Sequence, residues 1–409
     1  MTQRSVIKIC GVMAAAAVLA ACSSGGGGTP SASSETGPTT MATGEPIKLT
    51  YLSSHEGAGT SGDGFIGAKA AAAYINSHGG INGRPLAVDQ CVDNFDANLA
   101  SACATKAVND PAVIASIGQS TVQGSAVDPI LEKAGLPSVG AIASVAADFK
   151  SPVIFAPTIG GMSGLGLAAA VADLLDSKKV GLIYTQNPAG ATTVDLINTQ
   201  VLHPRGLPDV TALGISPTAA DLAPAVARTN QDSPDSVVMY TDQAPAAAFA
   251  KASRQQGSKS AIVLSGAVVT PASVKKNFGD TTGIYIGVFF NRSGSVYDQF
   301  LAQWKADGNS ADAVDDYAIN GWLSVKMFAD VARTTPTISR ESILAGFNAL
   351  KDYQTDGLLP PISFDQPSTT LGGNAPRVVN PTVSLLEVKD GQFVPVAGGK
   401  LANPFVIPS

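Results

Sequence analysis

Residues 68–84 read AKAAAAYINSHGGINGR and combine a helical pattern with two turn signals. The alanine-rich spacing predicts a helix over residues 65–77. Gly79-Gly80 ends this helix, because glycine readily adopts the left-handed conformation that follows a helix C-terminus. Asn82-Gly83 then turns the chain into the next apolar run. The segment therefore predicts a helix, a tight turn and a strand in succession.

The alternation of strands and helices continues on both sides of this segment. The first series has predicted strands at 47–52, 86–89, 113–117 and 136–139, with a second helix at 99–109. A further series follows Pro157, with predicted strands at 180–184, 210–213, 236–240 and 261–264 and helices at 163–176, 192–202, 221–230 and 246–256. Crossover helices between strands are typical of parallel sheets, so we predict an α/β fold with two doubly wound parallel-sheet lobes.

The last third of the chain does not continue this alternation of strands and helices. Helical patterns occupy residues 295–306, 314–333 and 340–350, and two strands at 381–388 and 392–396 follow. The segment Lys389-Asp390-Gly391 joins these strands, and Asp-Gly is a strong hairpin signal. This ending indicates that the chain returns to the two earlier lobes and does not build a third.

The first 46 residues are not typical of a folded domain. Arg4 and Lys8 precede an apolar run at 9–20 that is too short to span a bilayer, as in a signal peptide. The run ends in Leu19-Ala20-Ala21-Cys22, which resembles the bacterial lipobox. We predict a lipoprotein signal peptide at 1–21, a lipid on Cys22, a flexible tether at 22–46 and a location at the outer face of the cytoplasmic membrane in the cell envelope. The alternative is a plain secretory signal that happens to end in cysteine.

Charge and cysteine usage agree with an exported protein. Charged residues make up 14% of the chain, the formal charge is −6, and no basic patch is present, which argues against a nucleic-acid partner. Cys10 is removed with the signal peptide and Cys22 is acylated, so Cys91 and Cys103 remain to form a disulfide. A zinc site is a poor alternative, because two thiolates alone do not complete one.

Known catalytic motifs are not evident in the sequence. Residues 57–62 satisfy GxGxxG, but this loop begins well after the preceding strand ends at Leu52, whereas a dinucleotide site needs the turn directly on the strand. His55, His78 and His203 are scattered and suit neither metal ligation nor a catalytic dyad. We therefore predict a protein without cofactor, metal or catalytic residue, which is not an enzyme.

A family resemblance rests on several short sequence motifs that follow one another in a fixed order along the chain. These are the helix and turn of residues 68–84, Asp93-Asn94-Phe95-Asp96, Gly135-Leu136-Pro137 and the hairpin at 386–391. In this the chain resembles the branched-chain amino-acid (Leu/Ile/Val) binding protein family, with the type I periplasmic binding fold, across residues 47–396. The resemblance implies two lobes joined by three crossovers near residues 157, 291 and 362. The N-terminal lobe would comprise 47–158 and 291–361, and the C-terminal lobe 159–290 and 362–409.

The resemblance also implies ligand contacts in the first lobe. A serine after the glycine of the third strand holds the ligand carboxylate in that family, and this position falls on Ser120 or Thr121. Both precede an expected helix, so they also suit the alternative role of an ordinary N-cap. The loop after the fourth strand contributes backbone and hydroxyl contacts, which correspond to Ala143 and Ser144.

The second lobe departs from the family pattern. The two aromatic positions fall on Ala189 and near Asp242, and the glutamate that binds the ligand ammonium falls on Gly266. Asp242 either replaces the missing carboxylate or is a solvated loop acid. Leucine, isoleucine and valine should therefore bind weakly.

Together these implications describe a monomeric substrate-binding lipoprotein of an ABC importer. It would capture a small polar or carboxylate-bearing solute, amino-acid-like or related, and deliver it to ABC permease subunits in the membrane. The alternatives are a ligand-sensing receptor subunit and an exported enzyme on the same scaffold.

Overall fold

A computed structural model describes residues 40–57, 60–186, 188–216, 219 and 221–407. The predicted signal peptide, Cys22 and most of the predicted tether lie outside these residues, as do Ala58 and Gly59 of the glycine-rich loop and the side chain of Ala189. No helix in these ranges is long and apolar enough to cross a membrane.

The first sheet is parallel and has five strands in the order β2-β1-β3-β4-β5. Its strands are β1 (Ile47–Ser53), β2 (Leu86–Val92), β3 (Val113–Ile117), β4 (Ser138–Val139) and β5 (Ile154–Phe155). The intervening helices are α1 (Asp63–Ser77), α2 (Ala97–Asn109), α3 (Gly124–Lys133) and α4 (Ala146–Lys150). The predicted strand and helix order is confirmed here. Helix α3 is the helix expected after Ser120 and Thr121; the sequence did not indicate its bounds, because it starts at a glycine and contains Pro129, both weak signals for a helix. Helix α4 and strand β5 were not predicted.

The second sheet has seven strands in the order β12-β11-β10-β9-β8-β6-β7. Its strands are β6 (Val180–Thr185), β7 (Thr211–Ile215), β8 (Ser236–Tyr240), β9 (Ala261–Ser265), β10 (Ile284–Val288), β11 (Ser384–Lys389) and β12 (Gln392–Pro395). Its helices are α5 (Ser163–Leu174), α6 (Pro188–Leu196), α7 (Ala223–Asn230), α8 (Gln243–Gln255) and α9 (Pro271–Asn277). A π-helical segment, Ile197–Leu202, continues α6. Strand β10 and helix α9 were missed, since short apolar runs carry little periodicity.

The predicted hairpin is confirmed at the edge of the second sheet. Strands β11 and β12 are antiparallel, and Lys389 pairs with Gln392. The residues between them, Asp390 and Gly391, have φ values of 49° and 70°. Two successive left-handed residues make the tight turn that Asp-Gly favours. The second sheet is therefore parallel except for this hairpin, which pairs antiparallel to β10.

Three further helices return to the first lobe, namely α10 (Ser295–Ala306), α11 (Asp316–Thr334) and α12 (Arg340–Asn348). Helix α11 packs directly along α1. A Cβ atom at Gly67 would lie 1.9 Å from the carbonyl oxygen of Ala318, and one at Gly321 would lie 1.8 Å from that of Gly64. Only glycine permits such close backbone packing. This contact holds the first turn of α11 beside the first sheet.

The chain passes between the two sheets three times, after β5, after β10 and after α12. This path agrees with the predicted arrangement of two lobes and three crossovers. The exact lobe boundaries given above remain predictions.

The predicted disulfide is present between Cys91 on β2 and Cys103 on α2, with Cα atoms 5.7 Å apart. The two cysteines bracket the turn between these elements. Asp96 caps α2 by accepting hydrogen bonds from the backbone N–H groups of Asn98 and Leu99. The disulfide and the cap together restrain the turn that carries Phe95.

Candidate ligand-binding cleft

A cleft of about 620 Å³ lies where strands of both sheets end. Residues that follow β3, β4 and β5 line one side, and residues at or after the ends of β6, β8, β9 and β10 line the other. The first turn of α11 contributes Asp316, Tyr317 and Asn320. Ligands of open α/β sheets bind outside the carboxyl ends of the strands, so this cleft is the candidate ligand site.

The five residues predicted to bind ligand occupy different places. Ser144 and Asp242 line the cleft, one from each lobe. Ser120, Thr121 and Ala143 are buried and are not among its lining residues. The carbonyl oxygen of Ala143 accepts a hydrogen bond from the N–H of Gly161, which does line the cleft. Direct ligand contact by these residues remains a prediction.

The hydroxyls of Ser120 and Thr121 bind within the protein. Ser120 Oγ accepts a hydrogen bond from Tyr51 Oη at 3.0 Å and donates to the carbonyl oxygen of Ser61. Thr121 Oγ1 donates to the buried carboxylate of Asp93 and accepts from the backbone N–H of Gln123. Together, the two hydroxyls therefore connect the segment after β3 to β1, through Tyr51, and to the end of β2, through Asp93.

Beneath Ser144 lies the carboxylate of Asp148. Its Oδ2 atom accepts hydrogen bonds from the backbone N–H groups of Ser144 at 2.6 Å and Val145 at 3.0 Å. Ser144 Oγ donates to the carbonyl oxygen of Ile142. An internal carboxylate thus holds the turn that was expected to contact the ligand through its backbone and hydroxyl groups.

Asp148 is paired with a second buried carboxyl group, that of Asp128 on α3. Asp128 Oδ1 accepts a hydrogen bond from Gln119 Nε2 at 3.2 Å, and Gln119 in turn accepts one from Ser138. Burial, together with the neighbouring charge of Asp148, raises the pKa of Asp128 to about 9. Burial also raises the pKa of Asp148. Two carboxyl groups in this position share a proton, because both cannot ionise side by side in a dry site.

Gly266, where the resemblance places an ammonium-binding glutamate, lies next to an ion pair. Asp316 Oδ1 accepts a hydrogen bond from Arg292 Nη2 at 2.8 Å, and the two side chains are 1% and 6% exposed. Asp316 Oδ2 accepts from the N–H of Phe289, while the N–H of Asp316 donates to the carbonyl oxygen of Gly266. Asp316 therefore connects the start of α11 to the ends of β9 and β10.

Asp242 is exposed and stands just before α8. Its side chain does not cap this helix, and within the described ranges it has neither a hydrogen-bond nor an ion-pair partner. Its charge lies close enough to Tyr317 to help raise the pKa of that phenol, although burial is the larger cause. A free carboxylate is thus available in the cleft.

Four aromatic residues line the same cleft, and the sequence analysis assigned no ligand contact to them. They are Phe95, Tyr240, Phe289 and Tyr317. Tyr240 Oη donates to the carbonyl oxygen of Gly161 at 2.7 Å, which connects β8 with the segment after β5. Burial raises the pKa of Tyr240, so its hydroxyl stays protonated and remains a donor. The available signal was an aromatic residue at a strand end, as Tyr240 is in the predicted strand 236–240.

Phe95 is held at the cleft by a restrained turn. It is 51% exposed, and both Asn94 and Phe95 have positive φ values, 50° and 64°. Asp93 Oδ1 accepts a hydrogen bond from the backbone N–H of Phe95. The ring of His55 packs edge-on against the ring of Phe95, with 4.5 Å between the two ring centroids. Non-glycine residues rarely adopt this conformation, and such strain is concentrated at functional positions.

Within the described part of the chain, no group of three or more His, Cys, Asp or Glu side chains is placed to hold a metal ion. The side-chain groups that the cleft does offer are hydroxyls, aromatic rings, an amide and carboxylates. These groups favour binding of a small organic molecule.

Residues 46–389 match the model of a family described as periplasmic binding protein. None of the curated proteins compared with the chain matches its sequence. Several solved structures share the type I periplasmic binding fold with this chain, at sequence identities below one fifth for those described next.

The branched-chain amino acid transporter substrate-binding protein LivJ from Streptococcus pneumoniae, in complex with isoleucine, is 19% identical with a TM-score of 0.69, over 85% of this chain and 98% of that one. A solute-binding protein from R. palustris, in complex with 4-hydroxybenzoate, is 19% identical with a TM-score of 0.68, over 86% and 95%. A fatty acid ABC transporter substrate-binding protein from Thermomonospora curvata is 19% identical with a TM-score of 0.69, over 90% and 94%. The ligands named for these three proteins differ in chemistry.

Proposed function

Because this chain belongs to the periplasmic binding protein family, we propose that it captures a small polar solute and delivers it to the permease of an ABC importer. The observation that carries the proposal is one cleft lined from both sheets, with Ser144 on one lobe and Asp242 on the other. A solute that contacts both lobes stabilises the closed arrangement, as a clamp requires.

The same proposal assigns binding and release without chemical conversion. Ser144 and Asp242 are the proposed contacts from the two lobes. Ser120, Thr121 and Ala143 support the cleft wall from behind, through Tyr51, Asp93 and Gly161 respectively. Solvent shielding in the closed state would strengthen each polar contact with the solute.

The test is to recover the natural solute with the protein and measure what it does. The chain is expressed in its native form, purified without unfolding, and the co-purified small molecule is identified by mass spectrometry. Removing and restoring that molecule should change the radius of gyration in small-angle scattering, with the smaller value when it is bound. The molecule should be recovered unchanged. Conversion to a product would support an enzyme instead, and absence of compaction would contradict the clamp.

The lipid anchor is a separate part of the proposal, supported by the residues that end in Cys22 and by the polar tether behind them. Two acyl chains hold a protein stably at a membrane. Cys22→Ala should therefore move the protein from the membrane fraction to the soluble envelope fraction or the medium. A variant that stays in the membrane fraction contradicts the anchor but leaves solute capture untouched.

A further inference from the structure

We propose that this cleft selects solutes that present a cationic group, such as a protonated amine or a quaternary ammonium, and that it disfavours solutes carrying a carboxylate. The inference deepens the proposed function and rests on it, because it concerns the solute of the same cleft. It departs from the expectation of a carboxylate ligand drawn from the sequence.

The wall of the cleft is negatively charged. Among the residues that the structure describes, the cleft lining includes Asp242 and Asp316 but no lysine, arginine or histidine. Asp316 is already compensated by Arg292, at 2.8 Å, and by the N–H of Phe289, at 3.0 Å. Asp242 has no such compensation from the described residues, so the wall carries one uncompensated negative charge. Closure of the lobes around a solute would exclude water from the cleft, and opposite charges would then attract, and like charges repel, more strongly.

Hydrogen-bond donors on the facing wall of the cleft are already engaged within the protein. The backbone N–H groups of Ser144 and Val145 both point to Asp148, and the hydroxyl of Ser144 donates to Ile142. The N–H of Gly161 donates to Ala143. These donors would otherwise be suited to a ligand carboxylate. Asp148 already accepts hydrogen bonds from the two backbone N–H groups inside the protein, and hydrogen bonds to a charged group are the shorter and stronger kind.

Aromatic side chains form part of the cleft lining. Phe95, Tyr240, Phe289 and Tyr317 all line it, and Tyr317 interacts electrostatically with Asp242. The faces of aromatic rings attract cations, and aromatic rings beside a carboxylate are suited to ammonium groups. A cationic solute would therefore satisfy Asp242 and contact rings in one cleft.

The experiment compares solutes of closely similar size and shape that are cationic, neutral or anionic. Choline, 3,3-dimethylbutan-1-ol and 3,3-dimethylbutanoate form one set, and benzylamine, benzyl alcohol and benzoate form another. Each is titrated by calorimetry into the full-length protein after removal of co-purified solute. We expect at least one cation to bind about tenfold or more tightly than its alcohol, and each carboxylate to bind more weakly than its alcohol.

Asp242→Asn removes the charge and keeps the shape of the side chain. It should reduce the preference for the cation over the alcohol to about threefold or less. Asp232→Asn is the matched control, because Asp232 is an exposed acid of the same lobe that precedes β8, whereas Asp242 follows it. The control should keep the full preference.

The inference is overturned if no cation of the two sets binds better than its alcohol, if a carboxylate binds better than its matched cation, or if Asp242→Asn leaves the preference intact. Small-angle scattering separates these results from failure of the proposed function. If a carboxylate binds and compacts the protein, solute capture stands and the charge preference fails. If even the co-purified solute causes no compaction, the clamp itself fails.

Discussion

The carboxylate of Asp316 lies against the backbone of Gly266, so that a Cβ atom added to Gly266 would come within 2.9 Å of Asp316 Oδ2. The same Cβ would lie 2.8 Å from Val288 Cγ1. The family resemblance places a ligand-binding glutamate at this position, but here a carboxylate from a distant helix fills the adjacent space. In this protein the carboxylate beside the end of β9 is therefore supplied by Asp316 and not by residue 266.

Gly266→Ala should destabilise the protein by about 1–3 kcal/mol, because the added methyl group overpacks this site. Gly266→Glu should cost more, since it adds a second negative charge beside Asp316, and it should not create tight leucine binding. Urea unfolding measures the first effect and calorimetry the second. Gly181→Ala is the control, as its Cβ would meet only side chains, at 3.3 Å or more. A stable Gly266→Glu variant that binds leucine tightly would contradict this account.

The pair of Arg292 and Asp316 gives a second prediction. Arg292→Met should cost about 3–5 kcal/mol, because it leaves a buried carboxylate without its cation. Asp316→Asn should also destabilise, but the double variant should cost less than the sum of the two single changes. Urea unfolding of the four proteins measures this coupling. Strictly additive effects would mean that the ion pair does not act as a unit.

From the buried carboxyl group of Asp128 we expect the free energy of unfolding to depend on pH. Because its pKa is about 9 in the folded protein and 3.8 is the ordinary value, the folded state holds a proton that the unfolded chain releases. Stability should therefore fall as pH rises between these two values. Asp128→Asn cannot release a proton, and its amide can donate to Asp148 instead.

The free energy of unfolding of the wild type should consequently fall relative to that of the variant as the pH rises from 5 to 8. The difference between the two proteins should change by at least about 1 kcal/mol over this range. Urea unfolding at pH 5, 6.5 and 8 measures this difference. Asp232→Asn, an exposed acid, should show the same pH dependence as the wild type. Parallel curves for Asp128→Asn and the wild type would refute a shared proton between Asp128 and Asp148.

Substitutions at Thr121 test whether this residue supports the cleft wall or contacts the ligand directly. Thr121→Val keeps the shape of the side chain but leaves the buried carboxylate of Asp93 without this hydroxyl donor, which should cost about 1–3 kcal/mol of stability. Thr121→Ser keeps the hydroxyl and should be close to the wild type. If Ser120→Ala combined with Thr121→Ala instead lowers affinity for the natural solute at unchanged stability, direct contact is favoured.

Much of the fold could be predicted from local sequence. The alternation of apolar runs and helical spacing predicts most strands and helices, and Asp390-Gly391 predicts the hairpin, because these features depend on residues close together in the chain. The pairing of Cys91 with Cys103 followed from a count of the cysteines. Short elements such as β10 and α9 were missed, since a few residues carry too little periodicity.

The cleft depends on contacts between residues far apart in the sequence, and only the tertiary structure decided these. Sequence analysis predicted Ser144 and Asp242 as ligand contacts, and both line the cleft. It could not show that Tyr51 and Ser61 would engage Ser120, or that Asp316 would occupy the space beside Gly266. A hydroxyl or carboxylate binds whichever partner packing brings within about 3 Å, and that partner is not encoded by local spacing. The sequence by itself thus determined the two-lobed α/β scaffold, whereas packing of distant elements determined which polar groups remain free in the cleft.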